Sequence, residues 1–123
     1  MTAKEIERVG TAFLLQHLEA RGRTVQKSDR KTFDVVVDGI YTEVKAKGKP
    51  VGKFDFFVLS EKQYDALRNG EQFIVFLVLG VLHPGQTEII EIPSSVLGKF
   101  EPKEWRQYYW DKGMLNSIRA SLP

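Results

Sequence analysis

The sequence contains no cysteine. That removes disulfides, thiolate metal sites and thiol nucleophiles together. Only two histidines are present, so a histidine-built zinc centre is not expected. His17 reads as a hydrogen-bonded core residue, and His83, just ahead of Pro84-Gly85, as part of a turn. No apolar run approaches the ~18 residues of a membrane-spanning helix. The most apolar window, "FIVFLVLGVL" from Phe73 to Leu82, suits a buried strand. The opening "MTAKEIERVG" is charged and lacks the apolar core of an export signal, so a cytoplasmic location is expected. Gly-rich phosphate loops, a nucleophile elbow and a dinucleotide fingerprint are missing as well. With no repeat, linker or low-complexity tract, residues 1–123 read as a single domain.

Charge is present in balance but not evenly spread. The net charge is +2, yet Arg21 to Lys53 holds nine basic and four acidic residues, a local +5 that leaves the remainder at −3. Such a segment fits either a face for phosphates or an ordinary solvated surface.

Apolar periodicity predicts a helix from about Lys4 to Ala20, with Ile6, Val9, Gly10, Phe13, Leu14, His17 and Leu18 on one arc and Gly22 as a left-handed cap. Phe33–Val37 and Ile40–Ala46 read as strands joined by Asp38-Gly39, a strong hairpin signal. After the Gly/Pro loop 48–53, "FDFFVLS" reads as a third strand. Ser60 to Gln63 has the form of a capping box opening a helix that Asn69-Gly70 closes. Phe73–Leu82 and "TEIIEIP" are further strands, and the aromatic segment 93–123 reads as helical. The expected fold is therefore α/β, a mixed sheet of about five strands flanked by helices.

A two-residue turn pairs Val37 with Ile40, Val36 with Tyr41, Val35 with Thr42 and Asp34 with Glu43. Phe33, Val35, Val37, Ile40, Thr42, Val44 and Ala46 then share one face, and Asp34, Val36, Tyr41, Glu43 and Lys45 the other. Opposed residues have Cβ atoms roughly 4.5–5.5 Å apart. Two carboxylates that close repel unless a proton or a cation lies between them. Mg²⁺, which takes one or two carboxylates plus waters and phosphate oxygens, is a natural partner. Lys45 sets an ammonium beside it, able to orient or deprotonate a water or to neutralise a phosphate. The plainer alternative is a solvated strand face whose charges are incidental.

Asp34 followed by Glu43-Val44-Lys45 on the next strand resembles the PD-(D/E)XK nuclease superfamily, with its core of a helix, a three-stranded meander, a helix and a strand. The likeness runs from the first helix to about Leu82, roughly two thirds of the chain. "FDVVVDGIYTEVKAK" followed by "FFVLSEKQYDAL" is similar to the C-terminal domain of NO VEIN-type proteins, to archaeal-type Holliday junction resolvases and to restriction-endonuclease-like domains. The resemblance implies a three-layer core and metal-dependent cutting of DNA that leaves a 5′-phosphate. It implies Mg²⁺, with Mn²⁺ as substitute, on Asp34, Glu43 and the Val44 carbonyl, with Lys45 as the catalytic lysine. Lys47 would contact phosphate, together with Lys31, Lys49 and Lys53 of the basic segment, and Gln63 matches a polar helix position near such sites.

The sequence departs from the pattern at Thr11, after Gly10, where many relatives carry Glu. At about 100° per residue Glu7 falls between Leu14 and Leu18 on the inward arc and is the substitute acid, unless it serves the helix dipole instead. Cutting is expected to be structure-selective or weakly sequence-specific, for want of room for a base-reading domain. A homodimer stays open. So do a catalytically inactive nucleic-acid-binding module and a protein-interaction domain built on Trp105, Tyr108, Tyr109 and Trp110, of which Trp105 and one tyrosine are expected to pack against the sheet.

Overall fold

The computed structural model describes the backbone of every residue except Arg106, and the side chains of all but residues 104–107. The element order is α1 (Ala3–Ala20), β1 (Val25–Lys27), β2 (Val35–Val37), β3 (Ile40–Ala46), a single 3₁₀ turn (Val51–Lys53), β4 (Phe56–Leu59), α2 (Glu61–Arg68), β5 (Ile74–Leu79), β6 (Glu88–Pro93), α3 (Ser94–Leu97), β7 (Lys103–Trp105), β8 (Gln107–Asp111) and α4 (Lys112–Ala120). A five-stranded mixed sheet runs β1-β2-β3-β5-β6, flanked by helices, and a three-stranded sheet runs β4-β8-β7. Among the described residues no helix is long and apolar enough to cross a membrane.

The central pair β3–β5 is parallel, and all other pairings among the described residues are antiparallel. A parallel pair requires a crossover, and here it carries the Gly/Pro loop, β4 and α2 to one side of the sheet. The consequence for the core is two unequal layers. Ile74, Phe76 and Val78 of β5 join Val37 and Val44 under Leu14 and Leu18 of α1. Val75, Leu77 and Leu79 point the other way, into a larger core closed by Phe57 and Leu59 of β4, Trp110 of β8 and Leu115 and Ile118 of α4. Both faces being covered, β5 is buried along its whole length.

Local signals in the sequence account for most element ends. Arg23 and Gly22 donate to the carbonyls of Leu18 and Glu19, a Schellman ending made by Gly22 at φ +76°. Gly70, at φ +73°, closes α2 in the same way. Ser60 and Gln63 form the reciprocal capping box.

Four expectations are corrected. The strand 54–60 lies outside the main sheet; the meander is β1-β2-β3, and its first member, Val25–Lys27, was not anticipated because three residues carry too short a pattern. The segment 93–123 is not helical throughout. β7 and β8 occupy its middle, since the aromatic alternation puts Trp110 in the core while its indole N–H donates to the Phe100 carbonyl at 3.0 Å. The expected packing of Trp105 falls outside the described side chains, whereas Tyr108 stacks on Tyr64 of α2 at 3.9 Å between ring centroids. Phe13 is 45% exposed rather than inward. His17 is a helix-surface residue that accepts a hydrogen bond from Arg21 Nε at 2.8 Å, not a core residue.

Candidate metal and phosphate site

The site is built on the β2–β3 hairpin. Its turn places both Asp38 (φ 51°) and Gly39 (φ 80°) in the left-handed region, the geometry a two-residue I′ turn needs. Asp38 also fastens β1: its carboxylate accepts from the Thr24 N–H at 2.9 Å and from Arg23 Nε at 2.8 Å. Those bonds hold the Asp38 carboxyl below its usual range, Arg23 first and the Thr24 amide second. Pinned in this way, the ladder runs Val37–Ile40, Val36–Tyr41 and Val35–Thr42, as a two-residue reversal requires.

One step further the ladder bulges. The Asp34 N–H donates to the carbonyl of Thr42 at 3.0 Å, although Thr42 already lies opposite Val35. Two residues facing one is a β-bulge, which turns side chains away from strict alternation. This corrects the face assigned to Phe33. Its ring stacks on Tyr41 at 5.6 Å and packs on Phe73 at 5.3 Å, in the larger core rather than under α1. The bulge also brings Asp34 Oδ2 to the Val44 N–H at 2.9 Å, so a carboxylate oxygen takes the place of the next rung where β2 has ended. Val44 thus enters the site through its amide.

Glu43 lies on the adjacent rung, only 8% exposed. Burial first, then its hydrogen bond to Asp34, push its carboxyl up from 4.5 to about 7, against the opposing pull of Lys45. Lys45, two residues on along the same face, sets Nζ 2.8 Å from Glu43 Oε2. Asp34 and Glu43 line an open cleft of about 500 Å³, with the Lys45 ammonium on the flank of Glu43.

The other wall of the cleft is the start of α2. Ser60, Glu61, Lys62 and Gln63 line it, opposite Lys31, Thr32, Asp34 and Glu43. Gln63 is 3% exposed and fully engaged: its amide oxygen accepts from the Ser60 N–H at 3.2 Å, and its amide nitrogen donates to the Thr32 carbonyl at 2.6 Å. It ties the helix start to the chain leading into Asp34. Glu61 and Lys62 were not singled out from the sequence. Their signal was the Ser60 cap itself, because the first turn of a capped helix presents its side chains and free N–H groups to whatever its N-terminus faces.

Several expected participants lie elsewhere. Glu7 is exposed and absent from the cleft. The helix crosses the sheet at Gly10, where an added Cβ would fall 2.5 Å from that of Ala46, so the turn bearing Glu7 overhangs the end of β3 on the face away from Glu43. Lys47, Lys49 and Lys53 follow β3 away from the cleft. Two arginines of the basic segment are tied up in ion pairs, Arg23 with Glu91 and Asp38, and Arg30 with Glu71 while lying over the Phe33 and Tyr41 rings.

Two carboxylates on neighbouring rungs at an open cleft form a hard-oxygen donor set suited to a cation that keeps waters of its own. The described residues include no cluster of three or more His, Asp or Glu side chains arranged to enclose an ion. Compared with known proteins, the chain matches no family model, no curated protein and no solved structure.

Proposed function

We propose that this chain is a divalent-cation-dependent nuclease of the PD-(D/E)XK type that hydrolyses phosphodiester bonds of DNA. The observation that supports it most is a nearly buried Glu43 beside Asp34 and 2.8 Å from Lys45, in a cleft open to a polymer. A carboxyl pushed up to about 7 by burial and by a neighbouring acid is a standing electrostatic cost, and functional sites are where such costs concentrate.

Asp34 and Glu43 would hold Mg²⁺, or Mn²⁺ in its place. The cation supplies neutralising charge for the scissile phosphate and acidifies water. Glu43 would meet such a cation as a carboxylate, with Lys45 beside it. Lys45 then orients the attacking water and offsets charge growing on the phosphate oxygens. Water adds to phosphorus, the P–O3′ bond breaks, and the products are a 3′-hydroxyl and a 5′-phosphate. Lys31 and Lys62, on opposite walls, hold the backbone without reading its sequence.

The test is a Mg²⁺ and Mn²⁺ titration with duplex, branched and single-stranded substrates. Saturable binding lost in Glu43→Ala, with cleavage lowered at least about 100-fold in a folded Lys45→Ala, is the expected result. The exposed, remote Glu7 favours a second reading, a binding module without catalysis. Metal-independent DNA binding with no cleavage in Mn²⁺ would select that module.

A further inference from the structure

The second sheet has an outer face that the candidate site does not use. Along β4, Phe57 and Leu59 turn into the core, which leaves Phe56 outward and 41% exposed. On β8 Trp110 turns inward and Tyr109 outward, and Tyr109 meets Phe56 edge-to-face at 5.6 Å. Lys47 Nζ stands 5.2 Å over the Phe56 ring. Lys112 reaches the carbonyl of Gly52 in the turn that also carries Lys53. The nearby carboxylates are engaged: Asp55 accepts from the Phe56 N–H, and Asp111 caps α4 and pairs with Lys103. Lys47 thus stands over one of two paired aromatic rings, with Lys53 on the adjoining turn and Lys112 bonded to it.

Lys47, directly after β3, links the ledge to the strand that carries Glu43. Glu43, Lys45 and Lys47 follow one another at two-residue spacing, and the Lys47 N–H extends the pairing with β5 by donating to the Val78 carbonyl at 2.8 Å. At roughly 3.3 Å per residue, Lys47 lies about 13 Å from Glu43. A duplex would use only the lysines, since its bases are already stacked. An unpaired base uses both parts: its π-face replaces Lys47 on the Phe56 ring, and the displaced ammonium moves onto a phosphate.

We propose that Phe56 and Tyr109 form a stacking ledge for unpaired bases of a single-stranded nucleic acid, with Lys47, Lys53 and Lys112 on its phosphates. The register that delivers this strand to the acids rests on the nuclease reading; the ledge itself does not.

Binding is measured by fluorescence anisotropy on the full chain, in chelator, with labelled oligodeoxythymidylate and a duplex of equal length. Single strand binds more tightly than duplex. Phe56→Leu weakens the single strand about tenfold, the loss of one stack, with duplex binding and the melting temperature unchanged. Phe56→Trp keeps single-strand binding, and Lys47→Gln lowers the slope of log affinity against log salt by about 0.7. Wild-type binding by Phe56→Leu, or equal loss on both nucleic acids, overturns the inference. So does an effect of Phe56→Leu on polyglutamate binding or self-association in place of single-strand binding, which would assign the ledge to an acidic polypeptide or a second copy. Intact single-strand binding without cleavage in Mn²⁺ sinks the nuclease reading and leaves the ledge standing. Cleavage with unaltered binding in Phe56→Leu does the reverse.

Discussion

One face of the five-stranded sheet lies under a single helix, the other under a second sheet and three further helices, and the candidate site sits on the second. Under α1 the contact is close and apolar: Gly10 rides directly on Ala46, and Leu14 and Leu18 fill the space over Val37 and Val44. On the opposite face Phe57, Phe73 and Trp110 build a thicker core, and it ends where β2 gives way to Asp34. Glu43 and Lys45 emerge at that border, where Glu43 is buried enough to be perturbed and still lines the open cleft. A polar site needs both conditions. A helix laid flat along a sheet supplies only burial, whereas a second layer that stops short leaves an edge.

Each face can be broken separately. The largest effect is expected for Trp110→Ala, which removes a fully buried indole stacked on Phe57 at 5.3 Å. It should destabilise by about 3–5 kcal/mol in denaturant unfolding. An intact cleft in the surviving folded fraction would show that the acids do not depend on the thick core.

Next is pH. The folded chain keeps a proton on Glu43 that the unfolded chain releases from 4.5 upward, so stability should fall as pH rises from 4.5 to about 7 and then level off. The fall is at most roughly 3 kcal/mol. Glu43→Gln should flatten it, and a slope unchanged in that variant would mean that Glu43 does not titrate there. Mg²⁺ should raise the melting temperature more at pH 8 than at pH 5.

Gly10→Ala tests the α1 face. A Cβ 2.5 Å from Ala46 forces the helix outward and should cost about 1–3 kcal/mol without altering metal binding. Loss of metal binding would reveal coupling through the sheet. Ser60→Ala has the smallest expected effect, about 1 kcal/mol for the lost cap. It should reach Asp34 through Gln63 and the Thr32 carbonyl, and so weaken metal binding more than its cost in stability suggests.

Wherever one local signal governed the outcome, the sequence was legible. Asp38-Gly39 set the hairpin register, Ser60 with Gln63 set the start of α2, and Gly22 and Gly70 set two helix ends. Glu7 misled because angular position on a helix does not say where the helix overhangs its sheet. The 103–111 segment misled because closely spaced aromatics satisfy helical and strand periods alike until a partner strand is known.

By itself, then, the sequence determined the α/β class, the turn and the pairing of Val35–Val37 with Ile40–Thr42, because these depend on backbone conformations that only a few residue types favour. The expected rung of Asp34 opposite Glu43 gave way to the bulge. Tertiary structure alone decided that Phe33 changes face at a bulge, that β4 leaves the main sheet to pair with β8, and that Glu43 is buried while Glu7 is not. Those outcomes are set by which surfaces meet, and that is a property of the assembled layers rather than of any one segment.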